Sequence, residues 1–252
     1  MSKIEVIATS SQYVDWLEQR VKNHDAYWYG VIWAKCTNDL LNRKKEQYPQ
    51  HYGTGRLAGY KKDIADGKYC GDCVNGAVKG PIWTKLGTQE IRYLAYGCPD
   101  KSADGLYYYL IKELKIENGT IDNLPEIPGI MLHKSGHVGV YVGNGYAIEY
   151  RGRDYGCVKT RVADRGWKEW VKLPWFSYGD EASNQPPDGA ESADLVATGN
   201  VYMRQGPGTN YAIKRVIKQG EKLENMGVAN WALVKDADGN IGWASKKYLK
   251  EV

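Results

Sequence analysis

Gly136-His137-Val138-Gly139-Val140-Tyr141-Val142 and Tyr146-Ala147-Ile148-Glu149-Tyr150 flank Gly143-Asn144-Gly145, and the reading of this stretch decides the fold. Apolar alternation on both sides of a Gly-Asn-Gly turn signals a β-hairpin. Side chains alternate along a strand, so Val138, Val140 and Val142 face one way while His137, Gly139 and Tyr141 face the other. A three-residue loop sets Val142 opposite Tyr146 and Gly139 opposite Glu149. His137 and Glu149 then share a face as diagonal neighbours, about 7–8 Å apart at the backbone. A two-residue loop turns Glu149 to the opposite face. Gly139 leaves room where a bulky residue would separate the pair. An imidazole oriented by a carboxylate is half of a nucleophilic site.

The other half is expected at Cys73. Cys70-Gly71-Asp72-Cys73 precedes Val74, Ala77, Val78, Ile82 and Trp83 at helical spacing, with Gly80-Pro81 bending or ending the helix. A thiol in a first helical turn sees unpaired amides and the positive end of the macrodipole, which lower its pKa. Three other readings of these residues stay open. Cys70 and Cys73 form a C-x-x-C pair that could be redox-active, although no strand–motif–helix context surrounds it. Cys70, Cys73, His133 and His137 make a formal zinc tetrad, with far more residues between the pairs than a finger allows. Both thiols could also be inert core residues.

Length and composition set the wider frame. The 252 residues allow one or two domains, and the formal charge of +4 without a Lys/Arg block speaks against nucleic acid. No apolar run approaches the ~20 residues of a membrane span, and the amino terminus lacks a signal-peptide core. The expectation is therefore synthesis in the cytoplasm without a signal peptide, unless a leader has been removed. Five cysteines, an odd number at irregular spacing, argue for thiols rather than a disulfide framework. Twenty Tyr and nine Trp against one Phe suit a carbohydrate or peptide cleft as well as ordinary packing.

Along the chain, Thr9 to His24 predicts a helix with a Thr9/Gln12 capping box. Further helices are expected at Asn38–Tyr48, Leu57–Ile64 and Tyr107–Leu114, the last with Asp104 as its cap. The role of residues 37–69 is open. Strands are expected at Gly129–Leu132, the hairpin and Val158–Val162, and the aromatics at Trp167, Trp170, Trp175 and Phe176 read as packing. Residues 179–193 have linker composition. Beyond them, Val201–Arg204, Ala212–Ile217, Lys222–Met226, Trp231–Lys235 and Ile241–Ala244 read as short strands of a small β-barrel. Nine Lys and Arg against six Asp and Glu in residues 194–252 give this part most of the chain's excess positive charge. Asp236-Ala237-Asp238-Gly239-Asn240 is a hairpin turn rather than a calcium loop, because Gly stands at the fourth position and Lys247 where a Glu is needed.

Asp72-Cys73 at a helix start followed by Gly136-His137-Val138-Gly139-Val140-Tyr141-Val142-Gly143-Asn144-Gly145 resembles the NlpC-type murein cysteine peptidases, of the papain-like superfamily that includes the CHAP amidases. In that family the nucleophile lies in an Asp-Cys-Ser-Gly motif, matched here by Asp72-Cys73-Val74-Asn75, and the base heads a strand, matched by His137. The third polar position falls on Glu149, and an upstream Tyr-x-Trp-Gly stretch on Tyr27-Trp28-Tyr29-Gly30, making Tyr27 a candidate for steadying the site. Val74-Asn75 departs from Ser-Gly, Glu149 from the common His, and the 45 residues between Tyr27 and Cys73 exceed the expected spacing. Asn200-Val201-Tyr202-Met203-Arg204-Gln205-Gly206-Pro207-Gly208-Thr209-Asn210-Tyr211 and Gly242-Trp243-Ala244-Ser245-Lys246-Lys247-Tyr248-Leu249 resemble bacterial SH3-like domains.

Together the resemblances imply an α+β papain-like domain, helices packed on an antiparallel sheet (1–178), a linker (179–193), and a small all-β SH3-like barrel (194–252). They imply a peptidoglycan hydrolase acting through Cys73, His137, Glu149 and Tyr27, with no cofactor and no metal. Its partner would be the wall, through the peptide stem or cross-bridge and through Arg204, Tyr211, Trp231, Trp243 and Tyr248. A phage or prophage endolysin, released by a holin or carried on a tail, fits the missing leader. A catalytically degenerate wall-binding protein and an acyltransferase are the alternatives.

Overall fold

Thr9 caps the first helix as its sequence demands. Its hydroxyl accepts from the Gln12 backbone while the Gln12 side chain reaches back to the Thr9 N–H, and α1 runs Ser10–Lys22. In this computed structural model the described residues are 3–178, 195–204, 209, 211–228 and 231–251. The chain divides into two compact units, Met1–Phe176 and Ser177–Val252. The expected linker, 179–193, lies outside the described residues.

The first unit is built on a six-stranded antiparallel sheet. Its strands are β1 (Asn118–Thr120), β2 (Met131–Lys134), β3 (His137–Gly143), β4 (Tyr146–Tyr150), β5 (Cys157–Arg161) and β6 (Glu169–Val171), in the spatial order β1-β6-β2-β3-β4-β5. Val138, Val140, Val142, Ile148 and Tyr150 bury one face of it against Tyr13, Val14 and Leu17 of α1, Val74, Ala77 and Val78 of the Cys73 helix, and Leu106 and Leu110. Helices on an antiparallel sheet, followed by an all-β unit, is the expected α+β architecture.

Residues 37–69 make a second, smaller core. Helices α2 (Asn38–Gln47) and α3 (Leu57–Ala65) enclose Leu40, Leu41, Tyr52 and Tyr60 with Trp28, Cys36 and Cys70. Trp28 donates its indole N–H to Asp63 at 3.0 Å, and the Tyr52 hydroxyl donates to the Tyr29 carbonyl at 2.7 Å. The insertion whose role the sequence left open thus clamps the Tyr27–Gly30 stretch from behind.

Three local expectations are corrected. Of the two outcomes expected at Gly80-Pro81, bending or ending the Cys73 helix, the ending does not occur, and the helix continues over residues 73–83. A π-helical segment, Asn75–Lys79, precedes Pro81, and the Gly80 N–H donates to the Asn75 carbonyl. The widened turn accommodates the proline that a regular α-helix excludes. Ser102, rather than Asp104, caps the Ala103–Tyr108 helix, accepting from the Gly105 N–H at 3.1 Å. The strand expected at Gly129–Leu132 runs Met131–Lys134, because Gly129 sits at φ +97° against Ser10.

The hairpin combines both loop alternatives. Tyr141 pairs with Ala147 and Val140 with Ile148, the register that sets Gly139 opposite Glu149. At the tip the ladder shifts to Gly143 opposite Tyr146, a two-residue Asn144-Gly145 loop with both residues at positive φ. The bulge between Tyr141 and Gly143 absorbs the one-residue difference.

Among the described residues of the second unit, seven antiparallel strands enclose Leu195, Met203, Ile217, Leu223, Ala232, Val234 and Ala244. Leu195–Ala197 and Leu249–Glu251 are strands in addition to the five expected, and they pair with each other. Asp236 makes the predicted turn, its carboxylate accepting from the Asp238 and Asn240 N–H groups at 3.1 and 2.8 Å.

Candidate active site

Asp72 closes the start of the Cys73 helix. Its carboxylate accepts from the Asn75 N–H and side-chain amide at 2.8 and 2.6 Å, and from the Gly30 N–H at 2.9 Å. Burial pushes the Asp72 carboxyl up, against these donors. One carboxylate therefore caps the helix and fastens the Tyr27–Gly30 stretch to it. Tyr27 lies half-buried on the short strand Ala26–Tyr27, opposite Gly71 in a parallel pair. Burial raises its phenol well above the ordinary range, and the neighbouring Cys73 and Asp72 add to this. The structure thus brings Tyr27 and Cys73 together.

The Cys73 sulfur lies against the backbone N–H groups of Val74 and Val138, the latter the residue after His137. Burial, then Asp72, pushes the thiol up to about 12 despite those amides. The lowered thiol pKa expected of a helix start is overturned: removal from water outweighs the helix dipole. A sulfur in this setting needs a base to take its proton.

His137 supplies an oriented imidazole. Its Nε2 lies 2.7 Å from Oε2 of Glu149, which is 0% exposed. Thr160 donates its hydroxyl to Glu149 at 2.7 Å, and Arg165 donates from Nε and a terminal nitrogen at 2.5 and 2.8 Å. Burial alone would raise this carboxyl, yet the hydrogen bonds from Arg165, His137 and Thr160 hold it far below the usual carboxylate range. An ionised carboxylate can only accept, so Nε2 carries a hydrogen, and in the neutral ring Nδ1 is then the acceptor. Gly139 leaves room as expected, but for another group. A Cβ there would stand 2.9 Å from the Trp167 ring, which stacks on His137 at 5.5 Å and 13°.

Cys70 and His133 do not join this site. Cys70 is fully buried as a free thiol, hydrogen-bonded to the free thiol of Cys36. His133 pairs opposite Val138 on the helix-covered face, between Asp104 at 2.8 Å and Glu169 at 3.0 Å and stacked on Tyr107. Lys134, one residue on, is the residue opposite His137. The two histidines thus point to opposite faces of the sheet, and the formal zinc tetrad is not assembled. No group of metal-ligating side chains occurs among the described residues.

Thr160, Arg165 and Trp167 are the members that sequence reasoning missed. They lie 11 to 18 positions beyond Glu149 in the chain, on β5 and the turn after it, and no short motif announces them. In the second unit Arg204 is half-buried, opposite Trp243 in the ladder, and donates to the Tyr211 carbonyl at 2.7 Å. Trp243 and Tyr211 are half-buried and Tyr248 is 40% exposed. Trp231 lies on the Trp231–Lys235 strand, and its side chain is outside the described part.

Residues 199–250 match the bacterial SH3 domain family. No curated protein matches the chain. Among solved structures, NlpC2 from Trichomonas vaginalis is similar at 10% identity and a TM-score of 0.23, over 51% of this chain and 45% of that one. The chain thus spans less than half of that relative's length. Ly7917 is similar at 15% identity and a TM-score of 0.26, over 94% of this chain and 92% of that one. Ly7917 with the hydrolyzing product of MDP gives 15% identity and a TM-score of 0.24, over 96% and 98%. Superpositions this loose decide nothing, and the functional reading rests on the geometry above and the domain match. No helix among the described residues is long and apolar enough to cross a membrane.

Proposed function

We propose that this protein is a peptidoglycan hydrolase that cleaves an amide bond in the stem peptide or cross-bridge through Cys73, with its SH3 domain binding the wall. One observation carries the reading. The Cys73 sulfur faces the N–H of Val138, and the residue before it, His137, has its Nε2 held by a buried, ionised Glu149. Such an arrangement has a nucleophile, a base of defined tautomer and an orienting acid, the three parts that acyl transfer requires.

The steps follow from the placement. His137 Nδ1 takes the thiol proton as sulfur attacks the amide carbonyl, and the Glu149 carboxylate stabilises the imidazolium that forms. Amides at the helix start, with Tyr27 beside them, steady the oxyanion. The imidazolium then protonates the leaving amine, leaving a thioester. Water, deprotonated by the same ring, releases the acid and restores the thiol. The proposal extends to a phage or prophage lysin delivered to the wall from the cytoplasm, with Arg204, Tyr211, Trp231, Trp243 and Tyr248 as wall contacts.

The test is digestion of purified walls followed by mass spectrometry of the soluble fragments. New amine and carboxyl termini at one peptide bond are expected, absent with Cys73→Ala. Release of none would leave a wall-binding protein. Fragments joined to an added amine would favour an acyltransferase, since an amine can resolve the same thioester.

A further inference from the structure

Arg165 reaches the site from the turn between β5 and β6. After the short Val162–Asp164 turn, Gly166 adopts φ +62°, so residues on either side of it meet the two halves of one pair. Arg165 grips both oxygens of Glu149, and Trp167 stacks on the His137 ring. Lys134 ties the turn down, donating to the Arg165 carbonyl at 2.6 Å while its ammonium stands 4.9 Å from the Trp167 ring centre.

Charge counting shows what the guanidinium does. Glu149 with a charged His137 sums to zero, and with a neutral ring to −1, the carboxylate itself being buried. Alone, that carboxylate would draw a proton onto the imidazole and keep it there. With Arg165 the sums become +1 and zero, so the neutral ring gains relative to the charged one. A general base must be neutral to take the thiol proton, and an imidazolium must release its proton to the leaving amine. The planar fork also fixes both carboxylate oxygens, leaving the imidazole a single bonding direction. We propose that Arg165 is a positioning residue of this site, locking Glu149 against Nε2 of His137 and offsetting its charge so that the ring exchanges its proton readily. Its catalytic consequence rests on the hydrolase reading, whereas its effect on the ring does not.

The charged and titratable groups facing this pair are Glu149 from β4, Lys134 from β2 with Arg151 beyond it, and Arg165, while Cys73, with Tyr27 beside it, lies against the backbone of the next residue, Val138. Of the cations, Arg165 is the one bonded to the Glu149 carboxylate. The experiment follows the His137 ring by NMR across pH in the full chain, for wild type, Arg165→Gln and Arg165→Lys. Removing a positive charge this close should raise the His137 midpoint by about one pH unit in Arg165→Gln. Arg165→Lys keeps the charge and should leave the midpoint near wild type. A folded Arg165→Gln whose midpoint stays or falls overturns the proposal. Should that variant not fold, Arg165→Lys decides through the downfield Nε2 proton of His137. Loss of the fork should move that resonance upfield, and an unchanged resonance overturns the proposal. If wild type releases nothing from walls, the hydrolase reading falls while the ring titration still judges Arg165.

Discussion

Two Cys–His pairs lie in this chain at nearly matching intervals, and the fold gives them opposite lives. Cys73 opens its helix with the sulfur against the Val138 N–H, and His137 is the residue before Val138 on β3. Cys70 and His133, three and four residues earlier, are both buried elsewhere, one on Cys36 and the other between Asp104 and Glu169. Neither difference comes from residue type. Cys70 stands on the Tyr69–Gly71 strand facing the smaller core, whereas Cys73 opens the helix. His133 is opposite Val138, and so shares the face of the hydrophobic core, while His137 begins the next strand on the other face. Secondary-structure period, more than proximity in sequence, decides which thiol opens the helix and which is enclosed in the smaller core.

The sharpest way to break this comparison is to remove one thiol at a time. Cys73→Ala should abolish wall hydrolysis with wall binding unchanged. Cys70→Ala should keep a substantial part of the turnover and lower stability by about 1 kcal/mol for the lost packing. Equal loss of hydrolysis in both variants would revive the redox or zinc reading, and metal analysis would decide between those two.

The histidines should separate in the same way. His137→Ala should be as damaging as Cys73→Ala, since a thiol pushed up to about 12 has no other base beside it in the proposed mechanism. His133→Ala leaves Asp104 and Glu169 without their shared partner and should cost about 1–3 kcal/mol of stability with hydrolysis retained below the melting range. Thermal melts and turnover measured on both variants check this.

Much of the framework that carries these residues was legible in the sequence. The hairpin announces itself by alternation and a Gly-Asn-Gly turn, and the Cys73 helix by its apolar spacing. Both are local patterns. Arg165, Thr160 and Trp167 escape such reading because their meeting with Glu149 and His137 depends on how β5 and the following turn fold back. The bulge that merges the two loop alternatives was equally invisible, because either loop satisfies the turn residues. The π-helical turn before Pro81 and the short Leu195–Ala197 and Leu249–Glu251 strands exist through long-range packing and pairing.

A smaller effect is expected from Gly139→Ala. The added methyl would crowd the Trp167 ring at 2.9 Å and the Ile148 carbonyl at 3.2 Å. Overpacking of this kind costs about 1–3 kcal/mol. Because the displaced ring is the one stacked on His137, kcat should fall while KM stays near wild type. Turnover equal to wild type would show that the stacked indole has no part in orienting the base.

The smallest effect should come from Asp104→Asn, and its pH dependence is what distinguishes the second pair from the first. Asp104 is bonded to His133 and to the Gly136 N–H, and these interactions hold its carboxyl below the ordinary value. A carboxyl lowered on folding adds stability above its unfolded-chain value of about 3.9, and that stability is lost as pH falls through the folded value. The side chain is 43% exposed, so solvent screening limits the contribution to roughly 1 kcal/mol or less. Melting curves should therefore show Asp104→Asn slightly below wild type near pH 7, converging with it as pH falls below about 4. Glu149→Gln should behave differently. It empties a buried bond to Arg165, so its stability loss at neutral pH should be several times larger and hydrolysis should fall with it. If the two substitutions gave equal losses, with hydrolysis kept in both, Glu149 would be no more than a structural partner of its histidine, as Asp104 is of His133.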